Sequence, residues 1–134
     1  MASRRVARRI AIDILYQADL TDAEPADVVA DWIGAGREVP SFSRELIEGV
    51  ADEMPGIDLL LEESSEGWSV ARMPALDRTT LRLAIYELRY RDDIPPSVAI
   101  NEAVETVNEL STEDSGRFVN GILGKIARDA AAPD

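Results

Sequence analysis

Apolar side chains recur every three or four residues along almost the whole chain, and nowhere do they alternate with period two. That is the pattern of amphipathic helices rather than half-buried strands. From Ser3 to about Thr21 the stripe is Val6, Ile10, Ile14, Leu15 and Ala18, with Ser3 placed as N-cap. Pro25 suits a first helical turn, and a second helix runs through Val28, Val29, Trp32 and Ile33 to a stop at Gly34 and Gly36. Phe42, Leu46, Ile47, Val50 and Met54 mark a third helix over residues 41–54. Pro55-Gly56 is expected to break it, leaving a short helix around Ile57, Leu60 and Leu61 that ends at Gly67. Trp68, Val70 and Met73 then form an apolar connector expected to plug the core.

After Pro74 comes the most apolar helix, from about Ala75 to Arg91, with Leu76, Leu81, Leu83, Ala84, Ile85 and Leu88. So little polar surface predicts a central position. Pro95-Pro96 forces a break, Ser97 to Leu110 resumes helically, and Ser111 or Thr112 caps a last helix carrying Phe118, Val119, Ile122, Leu123 and Ile126. Gly121 and Gly124 read as places where that helix packs tightly. The fold class is all-α, a bundle of about seven helices forming a single domain over residues 1–134.

Composition narrows the chemistry. The 134 residues contain no cysteine and no histidine, which removes disulfides, thiolate and imidazole metal ligands and the commonest general base. Catalysis would rest on carboxylates, Arg, Tyr or Lys125, and no pair of acids has a spacing that picks it out. Asp92-Asp93 and the group Glu62, Glu63 and Glu66 are expected from composition alone and lack EF-hand spacing. The sequence therefore predicts a non-enzymatic protein with no cofactor and no metal. Nothing approaches a membrane-spanning run, so a cytoplasmic protein is expected.

Charge is placed unevenly. The net charge is -12, yet the first ten residues carry four arginines and no acid; the other 124 hold ten basic groups against 26 acidic ones. Arg4, Arg5, Arg8 and Arg9 fall off the apolar stripe and are expected to face solvent together. Cations near a helix N-terminus oppose its dipole at a cost of about 0.3–1 kcal/mol, so four of them suggest a use beyond helix stability. An acidic surface repels phosphates, and any nucleic-acid binding must be concentrated at such a basic site. The acidic stripe Glu102, Glu105 and Glu109 reads most simply as solvent-facing charge, with a docking surface for a basic protein as its functional alternative.

Three blocks add specificity: RRVARRIAIDILYQADL at residues 4–20, LDRTTLRLAIYEL with IPPSVAINEAVE across residues 76–105, and STEDSGRFVNGILGKIAR at 111–128. Together they resemble the NusB family of transcription antitermination factors. The resemblance implies a helical fold in two packed halves. It further implies binding of single-stranded boxA RNA from ribosomal RNA leaders together with the small-subunit ribosomal protein NusE, within the RNA polymerase antitermination complex. Carried over by position, Arg4, Arg5, Arg8, Arg9, Tyr16, Asp114, Arg117 and Phe118 are the RNA-binding candidates. Their chemistry suits the task, since single strands are held by cations along the phosphates and aromatic faces under the bases.

Asp114 can accept from base amino groups or cap a helix. Phe118 is core or stacking platform, and Tyr16 is expected to be part-buried with its hydroxyl exposed. The surface around Asp77, Arg78 and Arg82 is where the resemblance puts part of the partner contact. A homodimer that covers the arginine face is left open. The alternative is a protein-protein interaction module that keeps the fold without an RNA role.

Overall fold

The structure, a computed structural model, describes residues 3–131. Among these residues it contains six α-helices and no strand: α1 (Arg4–Thr21), α2 (Pro25–Gly34), α3 (Ser41–Ser64), α4 (Ala75–Tyr90), α5 (Pro96–Leu110) and α6 (Glu113–Ala131), with a 3-10 turn at Val70–Arg72 between α3 and α4. Ser3 caps α1 by accepting from the Val6 amide, and Asp22 closes it in the left-handed region at φ 56°. Pro25 opens α2, as its ring geometry favours. Thr112 caps α6, its hydroxyl accepting from the Ser115 amide at 3.1 Å.

The expected break at Pro55 is absent: α3 runs through it as one helix, which reduces seven helices to six. A proline inside a helix removes one hydrogen bond and costs about 3 kcal/mol. Burial on both sides outweighs that cost, because Leu46, Ile47 and Val50 enter one core while Ile57 and Leu61 enter another. Ala51, whose carbonyl loses its partner, is exposed to water.

The two cores divide the molecule. The first joins α1, α2 and the front of α3, with Ile12, Ile14, Leu15, Val28, Trp32 and Leu46. The second joins the back of α3, the 3-10 turn, α4, α5 and α6, with Ile57, Leu61, Leu81, Ile85, Val107, Val119 and Leu123. Helix α4 is shared, as its apolar composition predicted: Leu83 serves the first core, Leu81, Ala84 and Ile85 the second, and Tyr86 packs against both. The buried face of α1 is centred on Ala7, Ala11, Ile14 and Ala18 rather than on Val6, which is 49% exposed. No helix among the described residues is long and apolar enough to cross a membrane.

The close helix approaches are also not where the sequence suggested. A Cβ at Gly121 would meet nothing, and one at Gly124 only the end of the Arg128 side chain. At Gly49, in contrast, it would lie 2.0 Å from Cζ of Tyr86, so α3 and α4 touch there only because the side chain is missing. Gly49→Ala is expected to lose about 1 kcal/mol net, overpacking of about 1–3 kcal/mol being partly offset by better helix propensity. Urea denaturation of the variant beside wild type reads this directly; a gain in stability would mean that Tyr86 moves aside freely.

Candidate nucleic-acid interface

The four arginines of α1 do not share one environment. Arg4 pairs with Asp93 at 3.1 Å, and Arg5 with Glu102 at 3.2 Å and with Glu105. Arg9 donates to the Thr106 hydroxyl at 3.0 Å and to Glu109 at 3.0 Å. The partners of Arg5 and Arg9 climb α5 in step with α1, so the acidic stripe is not simple solvent-facing charge. Arg8 departs from expectation: it is buried, lying on the strip of Ile12 and Leu15, and its guanidinium donates three hydrogen bonds of 3.0–3.2 Å to the buried carboxylate of Glu87. Its positive charge is spent inside the fold. Tyr16 is exposed on the face that Arg9 begins, two turns further along α1.

Asp114, Arg117 and Phe118 come together elsewhere, on the first turns of α6. Asp114 and Arg117 are exposed and paired with each other, three residues apart. Phe118 is half-buried against the second core and forms a T-shaped pair with Trp68 at a centroid separation of 6.2 Å and an interplanar angle of 69°. Sequence reasoning put Trp68 in the core; it is 58% exposed. The turn after α3 explains this. Glu66 at φ 48° and Gly67 at φ 94° reverse the chain, the Ser65 hydroxyl donates to the Trp68 carbonyl, and the Trp68 amide donates to the Ser65 carbonyl. Val70 and Met73, just beyond, do fill the core.

Beside the two rings lies an open cleft of about 450 Å³, lined by Trp68 and Phe118 and by Arg117, Lys125 and Arg128 of α6. Gly121 also lines it and adds no side chain. Lys125 stands 4.0 Å from Glu66, and Arg117 leans on Asp114, so both cations keep exposed faces. Lys125, Arg128 and Trp68 were not among the sequence candidates. The signal for the first two was the spacing 117, 121, 125, 128, which puts three cations and a glycine on one side of a helix. Helix α5 separates this cleft from the α1 face, packing against α6 and holding the α1 arginines with its acids.

The residues expected at a partner contact, Asp77, Arg78 and Arg82, also brace the fold, and only Asp77 of the three is buried. Asp77 is buried and accepts from the Ser115 hydroxyl at 3.1 Å, which ties the first turns of α4 and α6. Burial pushes its carboxyl above the ordinary range, and the Ser115 bond only partly opposes this. Arg78 donates to the Val70 and Met73 carbonyls and to Asp19. Arg82 joins Asp58 and Asp19, clamping α4 to α3 and α1. The two arginines hold the Asp19 carboxyl below its usual range despite burial. Residues that span three helices in this way hold the halves together, with Asp77 buried and Arg78 and Arg82 part-exposed. Among the described residues no group of three or more acids is arranged to hold a metal ion; Asp93 is taken by Arg91 and Arg4, and Glu62 accepts from the Val70 amide.

The NusB family model matches residues 5–128. The chain belongs to the NusB family. The transcription antitermination protein NusB of Saccharopolyspora erythraea is 50% identical over 130 residues, covering 95% of this chain and 88% of that protein. The structure of T. maritima NusB matches with a TM-score of 0.86 and 34% identity, over 96% of this chain and 92% of its own. A chain in the crystal structure of the antitermination factors NusB and NusE in complex with double-stranded RNA matches with a TM-score of 0.84 and 25% identity, over 94% and 96% of the two chains. The division into two cores bridged by α3 and α4 is thus this chain's version of the NusB fold.

Proposed function

We propose that the chain is an RNA-binding transcription antitermination factor, and that it acts with the ribosomal protein NusE on boxA RNA of ribosomal RNA leaders. In this reading the Trp68–Phe118 cleft receives unstacked bases while Arg117, Lys125 and Arg128 meet the phosphates. One observation carries it: in a chain of net charge -12, the exposed Trp68, the half-buried Phe118 and three cations share one cleft. Stacking faces beside cations are what single-strand recognition requires. Asp114, exposed at the rim, can accept from base amino groups. The antitermination assignment draws on relatives such as the Saccharopolyspora erythraea protein, and the partner assignment on the NusB–NusE–RNA complex.

The test is fluorescence anisotropy of a labelled boxA-type single strand against a scrambled one, with and without NusE, over a salt series. Binding is expected to favour boxA and to tighten with NusE. If the cleft cations carry the phosphates, log affinity falls against log salt with a slope of about -2, and Lys125→Gln/Arg128→Gln brings it to about -0.7. No discrimination between the two strands, even with NusE bound, would instead support a protein-protein interaction module.

A further inference from the structure

The exposed arginines of α1 are already neutralised within the chain. Arg4, Arg5 and Arg9 meet four carboxylates, Asp93, Glu102, Glu105 and Glu109, of which Asp93 is shared with Arg91, so the positive charge of this face is balanced as folded. The three glutamates sit at intervals of three and four residues on one side of α5. At 1.5 Å per residue they present a carboxylate about every 5 Å, comparable with the charge density of a nucleic-acid strand. The ladder is also anchored: Thr106, between Glu105 and Glu109, accepts from Arg9 and donates to the Glu102 carbonyl at 2.7 Å. The cleft at α6 has no such arrangement, since Arg117 and Lys125 each lean on a single exposed acid.

We infer that Glu102, Glu105 and Glu109 are specificity-determining residues for RNA binding, acting as a phosphate-like ladder that must be displaced before α1 can engage a strand. The inference rests on the RNA-binding reading above. Exchanging a carboxylate for a phosphate trades one charge-assisted pair for another, and the displaced glutamates remain beside the incoming phosphates and repel them. An arbitrary polyanion therefore gains little at α1. A strand whose bases also stack in the cleft brings the additional free energy that drives the exchange. Selection by base contacts thus replaces the indiscriminate attraction that bare arginines would exert.

The experiment compares wild type with Glu105→Gln and with Glu102→Gln/Glu105→Gln/Glu109→Gln, which keep side-chain shape and remove charge. Thermal melts establish that each variant is folded; Glu105, half exposed, keeps the test available if the triple variant is not. The readouts are anisotropy with scrambled and boxA-type single-stranded RNA, and the salt needed to elute each protein from heparin. The triple variant should bind scrambled RNA roughly tenfold more tightly, with a salt slope steeper by about 2, and Glu105→Gln should show part of that gain. The ratio of boxA to scrambled affinity should fall. Unchanged scrambled binding and unchanged heparin elution in both variants would overturn the inference. Heparin separates the two readings. If wild type fails to discriminate between RNAs while the variants elute later, the glutamates still mask α1 from polyanions, but their role in RNA specificity falls with the RNA assignment. If wild type discriminates and elution does not move, the ladder alone falls.

Discussion

Arg8→Ala should destabilise the fold by about 3–5 kcal/mol, because removing one member of a buried ion pair leaves the other charge uncompensated. Glu87 is 1% exposed and Arg8 5%, and all three side-chain bonds to the Glu87 carboxylate come from Arg8. Glu87 lies on α4, so the pair also fastens the first turns of α1 to the shared helix. The effect has a pH signature. Burial pushes the Glu87 carboxyl above its ordinary range, with Arg8 and then Arg91 pulling it back. Without Arg8 it rises further. A carboxyl whose folded value is raised takes up a proton more readily folded than unfolded, so protonation favours the folded state as pH falls through that raised value. The deficit of Arg8→Ala relative to wild type should therefore be largest near pH 8 and shrink toward pH 5. Denaturant titrations at the two pH values decide it, and an equal deficit at both would mean that Glu87 finds another partner. Any loss of RNA affinity in this variant follows from lost folding, unlike in Arg5→Ala, where the side chain is exposed.

Trp68→Ala is expected to cost about 1–3 kcal/mol of RNA binding, the worth of one stacking platform. Its stability should change by less than about 1 kcal/mol, since the ring is largely in solvent and loses mainly its edge contact with Phe118. Phe118→Ala is the less clean experiment: the ring packs against the second core as well as facing the cleft, so both stability and binding should fall. The sequence left Phe118 between core and platform, and its position at the edge of the core accounts for that ambiguity. Anisotropy and thermal melting on the two variants separate the roles. Wild-type RNA affinity in Trp68→Ala would remove the cleft as a base-binding site.

Helix boundaries set by local chemistry were legible: the Ser3 cap, the Pro25 start and the Pro95-Pro96 break are short-range effects. The continuity of α3 was legible too, had phase been weighed against the proline. Leu46, Val50, Met54, Ile57 and Leu61 follow one another at three- and four-residue steps straight through Pro55. Arg8 could not be read locally. Its spacing to Ile12 and Leu15 marks a buried position, but only the partner at Glu87, 79 residues away, makes a guanidinium tolerable there. The same holds for the α5 glutamates, whose partners lie about a hundred residues earlier in the chain. Trp68 was misplaced because aromatic rings are core more often than not, and its exposure depends on the left-handed pair Glu66 and Gly67 that turns it outward. The arginines of α1 stood out by charge placement and the candidates on α6 came from the resemblance, while the cleft that unites α6 with Trp68 required three dimensions.

The unbroken α3 has a consequence for cooperativity. Each half borrows part of its core from the same rod, as it does from α4, so neither can melt as an independent unit while the rod stays whole. Any excursion that opens one half and spares the other has to sever α3 somewhere along its length. The cheapest place is residue 55, where the ladder of amide bonds already has a missing rung. The proline that failed to end the helix thus marks the seam along which the two halves would come apart.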